Sequence, residues 1–327
     1  MKDISILIPA RNEMFLARTI EDILAHREAD IEINVALDGA WPNPAVLQDD
    51  RVNIIYMPKS IGQRAATNLA CQASTAKYVM KMDAHCSVDQ GFDRKMLEAY
   101  EKVSDNVTMV PIMRNLWAFD WKCMKCGKKW YQGPTPIACK EPTCDNKTRF
   151  MRKMMWIGKQ RPQSTAYLFD PEPHFQYFRG FTRRPEGRGD LTPSMSLQGS
   201  AWMLTRENYW RLNVCDDATF GSWGSQGIEV ACKTWLSGGQ VLCNHGTWYA
   251  HEFRTQGGDF GFPYPQSGRQ VRNAKLAAKD LFFNNKWEQQ IHPLSWLVEK
   301  FWPAPGWTEA DLVELKKADH NVKKRPR

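Results

Sequence analysis

Asp83-Ala84-His85-Cys86 follows directly on the β-like run 78–82. A carboxylate and an imidazole two residues apart at a strand end can aim at one divalent cation, and both suit a manganese-like ion. His251, in Trp248-Tyr249-Ala250-His251-Glu252-Phe253-Arg254, closes another β-like segment and offers a third ligand from a distant strand. A second group reads Cys123-x2-Cys126-x12-Cys139-x4-Cys144. Two close thiol pairs a dozen residues apart fit a tetrahedral structural zinc site. Each group also has a plainer reading: a polar strand end, a satisfied core histidine, and unrelated thiols or two disulfides. Cys71, Cys86, Cys215, Cys232 and Cys243 show no such pairing and read as packing residues.

The zinc-like segment is also where the charge lies. Eleven Lys/Arg face two acids between Trp121 and Arg161, a surplus of +9 against +8 for the whole chain of 327 residues. Trp117, Trp121, Trp130, Tyr131, Phe150 and Trp156 are interleaved among these cations. Cations on phosphates and rings on bases bind nucleic acid, while the plainer reading is a solvated basic face. A composition of 43% hydrophobic and 24% charged residues excludes a disordered or fibrous chain. No apolar run approaches the ~20 residues of a membrane helix, and no secretory signal is visible. With an odd nine cysteines, this predicts a reducing, cytoplasmic setting, the host cytoplasm if the protein is viral.

These residues need elements to position them. Strand-like runs at 4–8, 31–37, 52–57 and 78–82 alternate with helical spacing at 13–26 and 63–73. This pattern predicts an α/β fold with a mostly parallel, doubly wound sheet, whose ligands lie beyond the strands' carboxyl ends. From 117 to 195 the pattern breaks into a loop-rich, basic insertion. The expected organisation is therefore 1–116 and 196–262 as two halves of one catalytic domain, the insertion between them, and a helical C-terminal region over 263–327 with a basic tail at 316–327.

The ordered motifs resemble a known family. Ile6-Leu7-Ile8-Pro9-Ala10-Arg11-Asn12-Glu13 is similar to the opening strand and nucleotide-binding turn of family-two, nucleotide-sugar glycosyltransferases of the GT-A fold. The stretch from Ile61 through Gly62, Arg64 and Asn68 to Asp83-Ala84-His85-Cys86 resembles that of polypeptide N-acetylgalactosaminyltransferases. So does Trp223-Gly224-Ser225-Gln226-Gly227-Ile228-Glu229 with Ala250-His251-Glu252. The resemblance implies Mn2+ or Mg2+ on Asp83, His85 and His251, and a UDP-sugar donor. It also implies a nucleoside held by Pro9, Ala10, Arg11, Glu13 and Asp38, and a donor site completed by Gly62, Arg64 as phosphate clamp, Gly199, Ser200 and Trp223.

One departure stands out. Inverting members place a Glu-Asp pair after the Trp-Gly, where this chain has Gln226 and Gly227. Glu229, Asp216 or Asp217 would have to supply the base, or the reaction retains configuration; retention is the expectation, with Glu229 as the candidate catalytic carboxylate. The basic insertion directs the acceptor reading to a hydroxymethylated pyrimidine in DNA, as in phage-type DNA modification. The alternatives are a protein side chain or cell-surface glycan as acceptor, and a non-catalytic, zinc-containing nucleic-acid binder. Oligomeric state is not readable from the chain.

Overall fold

The computed structural model describes residues 2–254, 261, 264 and 268–322. The strands are β1 (Ile4–Ala10), β2 (Ile31–Asp38), β3 (Val52–Met57), β4 (Tyr78–Met82), β5 (Cys86–Val88), β6 (Val107–Cys123), β7 (Lys129–Tyr131), β8 (Phe150–Gly158), β9 (Tyr167–Phe169), β10 (Phe175–Tyr177), β11 (Leu191–Pro193), β12 (Ala201–Thr205) and β13 (Gln240–His251). The helices are α1 (Leu16–His26), α2 (Gln63–Gln72), α3 (Phe92–Tyr100), α4 (Arg206–Arg211), α5 (Asp217–Phe220), α6 (Gln226–Leu236), α7 (Gly268–Ala278), α8 (Leu294–Lys300) and α9 (Glu309–Lys316).

The main sheet runs β11-β13-β6-β12-β4-β1-β2-β3. It is mixed rather than mostly parallel. β4, β1, β2 and β3 are parallel, as are β6 and β13, but β12 enters antiparallel between β4 and β6, and β11 is antiparallel to β13. All seven residues of β1 and all eight of β2 are buried, as expected of strands covered on both faces. One face packs on α1 and α3 through Ile20, Ile23 and Met96. The other packs on α2, α6 and the C-terminal helices, where Trp202, Trp235, Leu297 and Phe301 share one core.

The insertion is less loop-like than its composition suggests. β6 continues for 17 residues, from the main sheet past position 117, and pairs there with β7 and β8. Between 268 and 322 the chain forms α7, α8 and α9, and the end of the basic tail, 323–327, lies outside the described residues. No helix among the described residues is long and apolar enough to cross a membrane.

α2 and α6 are joined by buried charges. Glu229 is 0% exposed, takes the Arg64 guanidinium at 2.8 Å and the Lys233 ammonium at 2.9 Å, and accepts the Asp216 N–H at 2.9 Å. Breaking such a network by removing one partner costs about 3–5 kcal/mol, because it strands the others in low dielectric. Glu229→Gln should therefore lower the thermal unfolding midpoint by several degrees in calorimetry, and an unchanged midpoint would remove this structural role.

Candidate active site

Backbone pairing assembles the centre. β4 delivers Asp83, whose N–H bonds the Ser200 carbonyl at 2.8 Å just before β12 begins. β5 then pairs antiparallel with the end of β13, placing His251 opposite Cys86, and the Glu252 N–H bonds the His85 carbonyl at 3.0 Å. β5 is itself fixed by α1: Thr19 Oγ1 accepts the Cys86 N–H at 3.1 Å, and Asp22 accepts that of Val88 at 2.8 Å. The structure thereby brings Asp83, His85 and His251 together, with ligand atoms within 4.8 Å of one another.

The donor set fits a hard divalent cation, with one carboxylate and two imidazoles. His85 is 5% exposed, and its Nδ1 lies 3.1 Å from Glu13 Oε2, which leaves Nε2 turned toward Asp83 at 3.9 Å. A carboxylate behind a ligating histidine orients it in this way. Glu13 also accepts from Arg254. Burial pushes His251 down to about 4, so its imidazole is neutral near pH 7 and keeps its lone pair. Burial alone would raise Asp83, but the Lys81 ammonium and the His251 hydrogen bond outweigh it and hold the carboxyl well below the usual range. Lys81 is fully buried, bonding both Asp83 and the Gly199 carbonyl, the latter at 2.7 Å. Sequence reasoning did not single it out, although a lysine inside the apolar run Tyr-Val-Met-Lys-Met is a signal.

A cavity of about 450 Å3 opens on this centre, and Pro9, Glu13, Gly199, Ser200 and Trp223 line it with the three ligands. Other expected residues stand elsewhere. Ala10 is buried in the core. Arg11 lies behind the wall, 5.9 Å from the ring of Tyr264, which itself faces the cavity. Asp38 accepts from Ser60 and the N–H groups of Ile61 and Gly62, shaping that turn. Gly62, at φ +97°, abuts Ser222 so closely that a Cβ would sit 2.4 Å from that side chain.

The structure corrects the expectation for Arg64 and Glu229. Arg64 is 1% exposed and bonds the carbonyls of Gly221 and Gly224 as well as Glu229, so it braces the loop that presents Trp223 rather than reaching a phosphate. Glu229 is buried between two cations and cannot meet an acceptor hydroxyl. Asp216 caps α5, and Asp217 faces Asn68. At Gly227 a Cβ would lie 2.0 Å from the Leu197 carbonyl, so no carboxylate side chain fits there.

The insertion abuts the same centre. Gln132, following β7, bonds the Leu116 carbonyl at 3.0 Å and the Glu252 carboxylate, one residue from His251. Burial lifts Glu252 to about 7. Trp121 and Trp156, expected to offer their faces to bases, pack inward with Phe15 and Phe119 beside a register shift between Trp117 and Phe119, and arginines already cover them, Arg152 at 4.8 Å from the Trp121 ring and Arg18 at 5.8 Å from that of Trp156. The four sulfurs of Cys123, Cys126, Cys139 and Cys144 lie within 4.8 Å of one another, with Cys123–Cys144 at 3.8 Å and Cys126–Cys139 at 3.5 Å. These gaps exceed a disulfide bond and approach the ~3.8 Å edge of a tetrahedron with 2.3 Å metal–sulfur bonds. Burial raises the Cys123 thiol, but the N–H groups of Cys126 and Lys125 and the Asn146 amide outweigh it and bring it down to about 6.

Comparison with known proteins agrees with this geometry. Residues 5–155 match the family model of Glycosyl transferase family 2. Over 315 residues the chain is 24% identical to the putative polypeptide N-acetylgalactosaminyltransferase 13 of Drosophila melanogaster, covering 91% of this chain and 48% of that protein. The crystal structure of GalNAc-T7 with UDP, GalNAc and Mn2+ superposes with a TM-score of 0.61 at 16% identity, over 99% of this chain and 56% of that one. A looser match, TM-score 0.42 at 9% identity, is to S. aureus TarS 1–349, over 76% of this chain and 60% of that one. The chain thus spans about half the length of its curated relative and has the GT-A fold that its motifs implied.

If Glu13 orients His85 for a cation, Glu13→Gln should weaken Mn2+ binding about 10- to 100-fold in calorimetry with donor absent. Wild-type affinity in that variant would detach Glu13 from the centre.

Proposed function

We propose that the chain, a family 2 glycosyltransferase over residues 5–155, moves a sugar from a uridine diphosphate donor to the hydroxyl of a hydroxymethylated pyrimidine in DNA. The meeting of Asp83, His85 and His251 in one cavity beside Gly199 and Ser200 carries the donor half of this reading. A fold shared with an enzyme crystallised with UDP and Mn2+ supports Mn2+ or Mg2+ and a UDP-sugar. A divalent cation on these three ligands would offset the charge gathering on the departing diphosphate. The chain's own groups prepare that event. Lys81 keeps Asp83 ionised, Glu13 aims His85, and the Arg64-braced loop sets Trp223 over the donor.

What the described cavity lining lacks favours retention. Among its described lining residues the only carboxylates are Glu13 and Asp83, both engaged, and Gly227 leaves no space for a third. The acceptor oxygen then bonds the anomeric carbon on the face from which the diphosphate departs, and its proton passes to a departing phosphate oxygen. The acceptor half rests on the basic insertion, joined to the metal centre through Gln132 and Glu252. A second reading, transfer to a protein hydroxyl, is favoured by the likeness to a polypeptide N-acetylgalactosaminyltransferase. Mass spectrometry of hydroxymethylated DNA and of Ser/Thr peptides, each incubated with a panel of UDP-sugars, decides between them. A mass gain on DNA is expected, and a gain on peptide alone overturns the DNA acceptor.

We further propose that Cys123, Cys126, Cys139 and Cys144 hold one structural Zn2+. Metal analysis of protein prepared without added zinc should find about one ion per chain, and Cys126→Ser should release it and loosen the insertion. A zinc-free, fully folded wild-type protein would end this assignment.

A further inference from the structure

Where β6 runs beyond the main sheet, its two faces differ in kind. Trp121, opposite Arg152 and Trp130, looks inward. The alternate set looks outward: Lys122 lies opposite Lys129 on one side and Met151 on the other, and Asp120 opposite Tyr131 and Lys153. Trp117 joins this outer set, its ring 6.0 Å from that of Tyr131 and its indole N–H on Asp120 Oδ1 at 2.9 Å. The Lys159 ammonium lies 4.4 Å from the Tyr131 ring. Among the described residues, Lys122, Lys129, Lys153 and Lys159 form no ion pair, whereas Lys125 and Lys128, near the thiols, are paired with Asp145 and Glu141. Lysines directly opposite one another, as Lys122 and Lys129 are, destabilise a sheet unless an anion lies between them.

The geometry points to this outer face as a platform for single-stranded DNA, on which nucleotides flanking the target lie while the target base enters the cavity. The exposed ring of Tyr131 and the half-buried ring of Trp117, among ammonium groups outside any ion pair, match a chain that alternates flat bases with phosphates, and base–ring stacking requires unpaired bases. The platform is also continuous with the centre. Asn115 of β6 is the register partner of His251, and Trp117 lies two residues further, about 7 Å along the strand. This inference rests on the DNA acceptor proposed above and adds to it where the strand runs and that it is unpaired.

The test is fluorescence anisotropy with a labelled 12-nucleotide single strand, on full-length protein across a salt series. Lys129→Glu with Lys153→Glu should weaken binding at least tenfold at low salt and flatten the salt slope by about 0.7 for each phosphate no longer neutralised. Tyr131→Ala should weaken binding roughly 5- to 100-fold with the slope unchanged, and Tyr131→Phe should restore it. Lys102→Glu, an exposed charge reversal elsewhere, should bind like the parent. Melting midpoint and zinc content establish that each variant is folded. If the parent modifies hydroxymethylated DNA but the platform variants bind like it, the platform is wrong and the acceptor reading survives. If the parent binds no single strand and glycosylates only peptides, both fall together. Equal affinity for a duplex, indifferent to Tyr131→Ala, also overturns the single-strand platform.

Discussion

The register of β13 is the constraint on which the rest of the structure depends. This strand lies parallel to β6 and, at its last three residues, antiparallel to β5, so His251 is fixed against Asn115 on one side and Cys86 on the other. Side chains alternate faces along a strand, so a slip of one residue would turn His251 away from Asp83 and His85. The irregularity between Asn244 and Trp248 brings the distal half of β13 into phase, and hydrogen bonds from Thr19 and Asp22 keep β5 from drifting. The meeting of Asp83, His85 and His251 is thus a property of three strands and one helix held in one alignment.

A second layer of buried charge supports that alignment. Lys81 links Asp83 to the Gly199 carbonyl, and Arg64, Glu229 and Lys233 link α2, α6 and the loop of Trp223. Each ammonium or guanidinium sits where solvation is lost, and each is matched by a carboxylate and backbone carbonyls, the condition under which buried ions are tolerated. The Asp83, His85 and His251 cluster and the loop of Trp223 are therefore held by separate ionic groups, and disturbance of one need not propagate to the other.

Much of this is legible in the chain because it is local. Apolar runs separated by helical spacing give the α/β alternation, and Asp83-x-His85 and the cysteine spacing each sit within a short window. What is not legible is non-local. Strand direction leaves no mark on hydrophobic periodicity, so the antiparallel entry of β12 has no signal in the chain. Arg64 and Glu229 are 165 positions apart, and nothing in either segment announces that they cancel one another instead of serving substrate. Trp121 and Trp156 read as free to meet bases because the register shift in β6 that accompanies their inward packing is invisible to composition. His251 stands out only through the order of motifs that the chain shares with a family, since a single histidine has no local signature.

The 17 residues of β6 carry one further consequence. At about 3.3 Å per residue they form a continuous rod of roughly 55 Å that belongs at one end to the main sheet and at the other to the thiol-bearing insertion. Insertions joined by loops can be gained, lost or exchanged between relatives as cassettes, with little effect on the host sheet. Here the seam lies inside a strand: a cut at position 117 would strip β7 and most of β8 of their partner, while residues 107–115 would stay paired with β13. Residues 112–115, which hold the end of β13, and residues 116–123, which hold β8, are one unbroken strand, so a change of tilt in the insertion is carried along that strand to the position opposite His251.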